Sequence, residues 1–134
     1  MDYRTLRTLG SRSKLFEWIF DSKTGLEIVR QFSTGPRVDT FSIDEIKQII
    51  KFATSNENIP LANNVEKIHQ GTEKIGLGSF IYNHLKEDLI KAQAASQLAT
   101  IFVKTGIFDY NGATRNMEFW IKNNDWQLLL MNGE

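Results

Sequence analysis

The chain has 134 residues, of which 41% are hydrophobic and 24% are charged, with nine glycines, two prolines and no cysteine. This composition is that of an ordinary globular protein, and it excludes long disordered tracts, disulfides, thiolate catalysis and cysteine-ligated metals. Sixteen basic residues balance sixteen acidic ones, so no overall field draws the chain to nucleic acid or to an anionic membrane.

The apolar runs of the sequence are only a few residues long, far below the roughly 20 residues of a membrane-spanning helix. No apolar run of signal-peptide length follows the N-terminal arginines. Without cysteine, the reducing cytoplasm is the expected compartment. We predict one domain over residues 1–134. Residues 1–14 hold four basic residues and one acidic residue, which makes them a candidate flexible basic arm.

Residues 15–32 are predicted to form a β-hairpin, because large apolar side chains alternate before a turn-like segment at 22–25. A register that pairs Asp21 with Leu26 places Glu17 opposite Arg30, whereas a slip of one residue exchanges the two faces. Residues 37–40 are a candidate third strand, and the proline before them favours a sheet edge.

Residues 43–54 are predicted to form a helix. Ser42 and Glu45 have the spacing of a reciprocal capping box, and isoleucines recur on one face of the segment. Further along, residues 62–70 predict a short helix with Val65 and Ile68 facing inward. The glycine-rich segment around Gly76 and Gly78 then predicts a tight connection into another short helix that carries Phe80, Ile81 and Leu85.

Residues 86–104 give the longest helical pattern. Apolar residues cover most of its circumference and leave a narrow polar stripe, formed by Lys86, Gln93, Gln97, Thr100 and Lys104. Such a wide apolar surface predicts a central helix that is packed on several sides and ends at Gly106.

The last third of the chain predicts a second hairpin, because Asn111-Gly112 is a strong turn signal. Residues 113–131 fit either a strand or a helix, and 126–131 are a candidate final strand. The fold class is therefore α+β. A mainly antiparallel sheet, made of an N-terminal hairpin or three-stranded meander plus C-terminal strands, packs on the long central helix and two or three shorter helices.

Basic residues form the candidate nucleic-acid-binding set, because aromatic residues exposed beside them could stack bases. The members of this set are Arg4, Arg7, Arg12, Lys14, Arg30, Arg37 and Arg115. His69 and His84 are fifteen residues apart and lack a metal-ligand spacing. The two glycines at 76 and 78 are followed by neither the lysine of a P-loop nor the third glycine of a dinucleotide fingerprint. No catalytic, cofactor-binding or metal-binding residue is assigned.

Three functional hypotheses follow from the sequence. The first is a non-catalytic module that binds another protein or a second copy of itself through the apolar surface of residues 86–104. The second is a nucleic-acid-binding accessory protein that uses the N-terminal arginines. The third is a small hydrolase in which His69 or His84 works with a carboxylate across a pocket.

Overall fold

The computed structural model describes residues 2–133. Its strands are β1 (Arg4–Arg7), β2 (Leu15–Asp21), β3 (Gly25–Phe32), β4 (Gly35–Phe41), β5 (Ile59–Pro60), β6 (Phe108–Tyr110) and β7 (Glu118–Ile121). Its helices are α1 (Ile43–Thr54), α2 (Val65–Gln70), α3 (Leu77–Asn83), α4 (Leu89–Gln93), α5 (Ala95–Thr105) and α6 (Trp126–Asn132). The predicted α+β fold class is confirmed.

The first four strands form an antiparallel meander in the order β1-β2-β3-β4. Trp18 pairs with Ile28, and Asp21 pairs with Gly25. The predicted hairpin is confirmed, but its predicted register was wrong by one residue. Glu17 lies opposite Val29 rather than Arg30, and the core face holds Arg30 together with the large apolar side chains of both strands.

The N-terminal segment is not a free arm over the residues of β1. Arg4 pairs with Trp18 and Arg7 pairs with Leu15, so β1 forms one edge of the meander. The prediction of a flexible arm over 1–14 is therefore wrong for residues 4–7. Backbone hydrogen bonding outweighs the solvation of a polar terminus here, because β2 offers an unpaired edge.

Helix α1 begins and ends where the sequence predicted. The Ser42 hydroxyl accepts a hydrogen bond from the Glu45 amide, and the Glu45 carboxylate accepts one from the Ser42 amide. The predicted helix over 62–70 is shorter in the structure, where α2 buries Ile68 and leaves Val65 half-buried. Helix α3 carries Phe80 and Ile81 and ends before Leu85.

The predicted long helix over 86–104 is divided into α4 and α5 at Ala94. The Asp88 side chain caps the start of α4 by accepting a hydrogen bond from the Lys91 amide. Helix α5 contacts β1 of the meander, β6, α3, α4 and α6. It is the central helix that the sequence predicted, and its apolar surface lies inside the core.

The C-terminal strands do not join the meander. They form a separate three-stranded sheet in the order β5-β7-β6, and Tyr110 pairs with Phe119 across a seven-residue loop that starts at Asn111. The hairpin predicted from the Asn111-Gly112 turn signal is present, with Gly112 inside this loop. Residues 126–132 are helix α6, so the predicted final strand is wrong.

Within residues 2–133, one hydrophobic cluster contains buried residues from both sheets and from all six helices. Phe102 of α5 packs edge-on against Phe108 of β6, and Phe108 in turn contacts Phe119 of β7. None of the helices in this part of the chain is long and apolar enough to cross a membrane.

Candidate functional site

A cleft of about 540 Å³ opens between the β1–β2 loop, the end of β3, the segment 61–63 and the junction of α4 with α5. We call it the polar cleft, because most of its lining side chains carry hydrogen-bonding groups. Eight neutral polar residues line it: Thr8, Ser11, Gln31, Asn63, Gln93, Ser96, Gln97 and Thr114. Its volume lies within the range of about 300–1,000 Å³ that is usual for small-molecule sites.

The wall formed by the β1–β2 loop is fastened on both sides. Thr8 and Lys14 exchange backbone and side-chain hydrogen bonds of 3.0 and 2.9 Å, which close the loop. The Leu9 amide donates to the Thr100 hydroxyl at 3.3 Å and so ties the loop to α5. Thr100 is completely buried, and this part of the predicted polar stripe therefore faces the loop and not solvent.

The opposite wall depends on a close approach of two backbones. Asn63 donates a side-chain hydrogen bond of 3.1 Å to the Gln93 carbonyl, and the Gly78 amide donates one of 2.8 Å to the Leu61 carbonyl. A β-carbon at Gly78 would lie 2.5 Å from the Ala62 carbonyl oxygen. The glycine-rich segment thus packs against residues 60–63, and its two glycines do not line the cleft.

Three of the seven predicted basic residues meet at this cleft. Arg12, Lys14 and Arg30 line it, and among residues 2–133 its lining includes no aspartate or glutamate. Arg12 and Lys14 are exposed, and they take part in no ion pair among the residues that the structure describes. The cleft therefore presents positive charge that is free to meet an anion.

The other four predicted residues lie elsewhere. Arg4 donates to the Gly133 carbonyl at 2.9 Å, and Arg7 donates to the Ser13 carbonyl at 2.9 Å. Arg37 pairs with Asp39 and Asp88, whose hydrogen bonds and charges raise the pKa of Arg37. Arg115 is exposed on the β6–β7 loop. The structure does not bring these four into the polar cleft.

Arg30 forms the floor of the cleft and is only 6% exposed. Its Nη2 donates to Asp39 at 2.7 Å and to the Ile90 carbonyl at 2.9 Å. Its guanidinium also lies 5.2 Å from the centre of the Phe32 ring. The carboxylate of Asp39 neutralises the Arg30 charge, so Arg30 contributes a fixed hydrogen-bond donor to the cleft more than a free charge.

Two buried polar atoms of the cleft residues have no hydrogen-bond partner within the described chain: Arg30 Nε and Gln97 Oε1. Gln97 is also 6% exposed. An unsatisfied buried polar group costs about 1–3 kcal/mol, and native proteins contain few of them. Trp18 Nε1 is a third such atom, but Trp18 belongs to the core and does not line the cleft.

Sequence reasoning missed Gln97 because its position on the polar stripe indicated a solvent-facing side chain. The available signal was the apolar residues on either side of the stripe. When a largely apolar helix packs on several sides, little of its surface remains exposed to solvent, so a glutamine on it is expected to be buried.

The histidines do not form a catalytic arrangement. Both are exposed, and His84 stacks on Phe80 with ring centres 4.6 Å apart. Over residues 2–133 neither histidine side chain forms a hydrogen bond or an ion pair with a carboxylate. The same part of the chain contains no group of three histidine, aspartate or glutamate residues that could hold a metal ion.

Beside the cleft floor, a second charged cluster surrounds Lys91. Its ammonium donates to the Thr40 carbonyl at 2.5 Å and to Glu87 at 2.8 Å, and it lies 3.5 Å from Glu45. Burial, followed by the hydrogen bond with Glu87, raises the pKa of Glu45. The hydrogen bond with Glu45 lowers the pKa of Glu87. This cluster joins α4 to β4 and α1 and has the contacts of a structural tie.

Comparison of the chain with family models, with curated proteins and with solved structures gave no match. Function is therefore inferred from the chemistry of the polar cleft.

Proposed function

We propose that this protein is a non-catalytic binding module that holds a small anionic ligand in the polar cleft. The observation that supports it is that Arg12 and Lys14 both line a cleft whose described lining has no carboxylate. An anion that enters meets two cations and several neutral donors without a repelling charge. Because Arg12 and Lys14 are exposed, the attraction weakens as salt is raised.

The alternatives from the sequence receive less support. An extended nucleic-acid surface would need the arginines to be free on one face, but Asp39 engages both Arg30 and Arg37. A hydrolase would need a histidine oriented by a carboxylate, and His69 and His84 have no such partner within residues 2–133. A compact anion site uses the basic residues that remain.

A contact with a second copy of the chain is the second candidate, and the outer face of the meander favours it. Leu15 and Val38 are each 54% exposed there, and Val38 pairs with the half-buried Val29. The apolar surface of residues 86–104, from which the sequence predicted self-association or a protein partner, is instead used by the core. Sedimentation velocity over a range of concentrations decides between monomer and homodimer.

The cytoplasm is the compartment that we propose. The chain has no cysteine, and cytoplasmic proteins do not depend on disulfides for stability. Phosphate-bearing and carboxylate-bearing small molecules are the partners that the cleft would meet there.

The test of the anion site is a titration with sodium pyrophosphate at low ionic strength, followed by amide chemical shifts. We expect shifts at Ser11, Arg12 and Lys14, and a loss of affinity of at least about tenfold in the double variant Arg12→Gln/Lys14→Gln. The matched control is Lys23→Gln/Lys47→Gln, which removes the same charge from two exposed sites away from the cleft. Equal affinities of the two double variants would contradict the proposal, as would the absence of binding.

A further inference from the structure

Two residues that line the polar cleft carry unsatisfied buried atoms of opposite hydrogen-bonding roles. Arg30 Nε is a donor, and Gln97 Oε1 is an acceptor. Each is buried on a residue that lines the polar cleft. A phosphate or a carboxylate could satisfy the donor but not the acceptor, because an ionised oxyanion has no proton to donate. The ligand therefore needs a second, neutral part.

The Arg30 side chain is held in place before any ligand arrives, and Gln97 is buried. Arg30 Nη2 is fixed by Asp39 and by the Ile90 carbonyl, so the direction of the Nε–H bond is fixed as well, since the guanidinium is planar. Gln97 stands in the first turn of α5, a helix whose other residues are mostly buried. Preorganised groups of this kind lose little entropy on binding.

We propose that the ligand is a nucleotide unit, an inference that rests on the proposed anion site. Its phosphate contacts Arg12 and Lys14. Its base presents a hydrogen-bond donor to Gln97 Oε1 and a neighbouring acceptor to Arg30 Nε. Nucleobase edges present such neighbouring donor and acceptor groups. The Phe32 ring, 42% exposed at the same cleft, offers a surface on which the base can stack.

The nucleotide unit has two possible sources, a free mononucleotide or one residue of a single strand. The cleft is of small-molecule size, which suits one unit. A strand would add phosphate contacts outside the cleft, and its affinity would therefore depend more steeply on salt.

The first measurement is a titration of the isotope-labelled protein with AMP, GMP, CMP and UMP, each compared with pyrophosphate. We expect at least one nucleotide to shift the Arg30 Nε–Hε signal and the Gln97 side-chain amide signals, and pyrophosphate to shift the signals of Ser11, Arg12 and Lys14 but not those of Gln97. If pyrophosphate binds and no nucleotide moves the Arg30 and Gln97 signals, the nucleotide inference is overturned and the anion site stands. If neither probe binds, both fail.

The variant Gln97→Met separates a ligand-binding role from a structural one. Methionine is close to glutamine in size and has no strong acceptor to leave unsatisfied. We expect the variant to melt at a higher temperature than the natural protein, to lose at least about tenfold in nucleotide affinity and to keep its pyrophosphate affinity. Gln127→Met, at an exposed position of α6, is the matched control and should leave both affinities unchanged. Unchanged nucleotide binding by Gln97→Met overturns the inference.

Two further probes identify the source of the ligand. The first probe is a single-stranded oligonucleotide of about eight residues. If it binds much more tightly than the best mononucleotide, with a steeper salt dependence, the ligand is a single strand. Equal affinity assigns a free nucleotide. A phosphoserine peptide that shifts the Arg30 and Gln97 signals when no nucleotide does so overturns the inference in favour of a peptide ligand.

Discussion

At the scale of single residues, buried charge determines which arginines are available for binding. Arg30 and Arg37 lie directly opposite each other on β3 and β4, an arrangement that would repel without a bridging anion. Asp39, whose side chain is 2% exposed, accepts hydrogen bonds from both. The charges of these two arginines are therefore paired within the fold, and the charges of Arg12 and Lys14 remain for an anion.

The carboxyl pair around Lys91 gives a prediction on pH. Burial raises the pKa of Glu45 above its ordinary value of 4.5. A carboxyl group with a raised folded-state pKa contributes stability that is present below the unfolded-state pKa and is lost as the pH rises through the folded-state pKa. Glutamine cannot ionise and still serves the capping box. Relative to the natural protein, Glu45→Gln should therefore gain stability between about pH 4 and about pH 8.

Urea unfolding at the two pH values measures this gain, and Glu87→Gln is its control. The pKa of Glu87 is lowered by the hydrogen bond with Glu45 and then by Lys91. Its contribution to stability is therefore present above the unfolded-state pKa and lost on acidification. Glu87→Gln should lose stability relative to the natural protein over the interval in which Glu45→Gln gains it. A shift of the same sign in both variants would refute this assignment of the pair.

The residues of the candidate site were only partly predictable. Arg12 and Lys14 could be named from charge alone, whereas Arg30 could be placed in the core only with the correct β2–β3 register. Gln97 was missed because helical periodicity places it on a polar stripe without showing that the β1–β2 loop lies against that stripe. Local sequence thus indicated the charge of the cleft but not its hydrogen-bonding floor.

At the scale of elements, predictions succeeded where a local interaction specifies the boundary. The capping box fixes the start of α1, and the turn at 22–25 closes the β2–β3 hairpin. They failed at 126–132, because Leu128, Leu129 and Leu130 fit a strand as well as a helix when the segment spans only about two turns. The start of α4 after Asp88 was missed although aspartate is a usual N-cap residue, and the break at Ala94 has no side-chain cap to signal it.

Gly25 at the start of β3 and Gly35 at the start of β4 test how tightly the meander packs against α1. Both adopt positive φ, +110° at Gly25 and +123° at Gly35, so alanine at either position costs about 1–3 kcal/mol in backbone strain. A β-carbon at Gly25 would also lie 2.1 Å from the Phe41 carbonyl oxygen, whereas one at Gly35 meets nothing within 4 Å. Gly25→Ala should therefore destabilise the protein by at least about 2 kcal/mol more than Gly35→Ala.

Thermal and urea unfolding of the two alanine variants provide the comparison. Because the strain at positive φ is common to both, the difference between them measures the clash with Phe41 at the entrance to α1. Equal stabilities of the two variants would mean that the backbone at the junction of β4 and α1 can shift to accommodate the β-carbon, and that the packing of the meander against α1 is loose.

At the scale of the whole molecule, the division into two sheets could not be read from local patterns. The strands that pair in the second sheet come from distant segments, since Ile59 pairs with Phe119, and β5 is only two residues long. Sequence periodicity gives the faces of a strand but not its partner. The central position of α5 was predictable, because its apolar circumference requires neighbours on several sides.

The contacts of α5 with both sheets lead to a prediction about cooperativity. If residues 2–133 behave as one domain, a change in α5 must weaken the meander and the second sheet equally. Phe102→Leu removes the edge-on contact with Phe108 and should cost about 1 kcal/mol. Native-state hydrogen exchange reads the cost separately at Ile28 in β3 and at Phe119 in β7. We expect equal losses of protection free energy at the two amides, and a loss confined to Phe119 would show that the two sheets unfold as independent units.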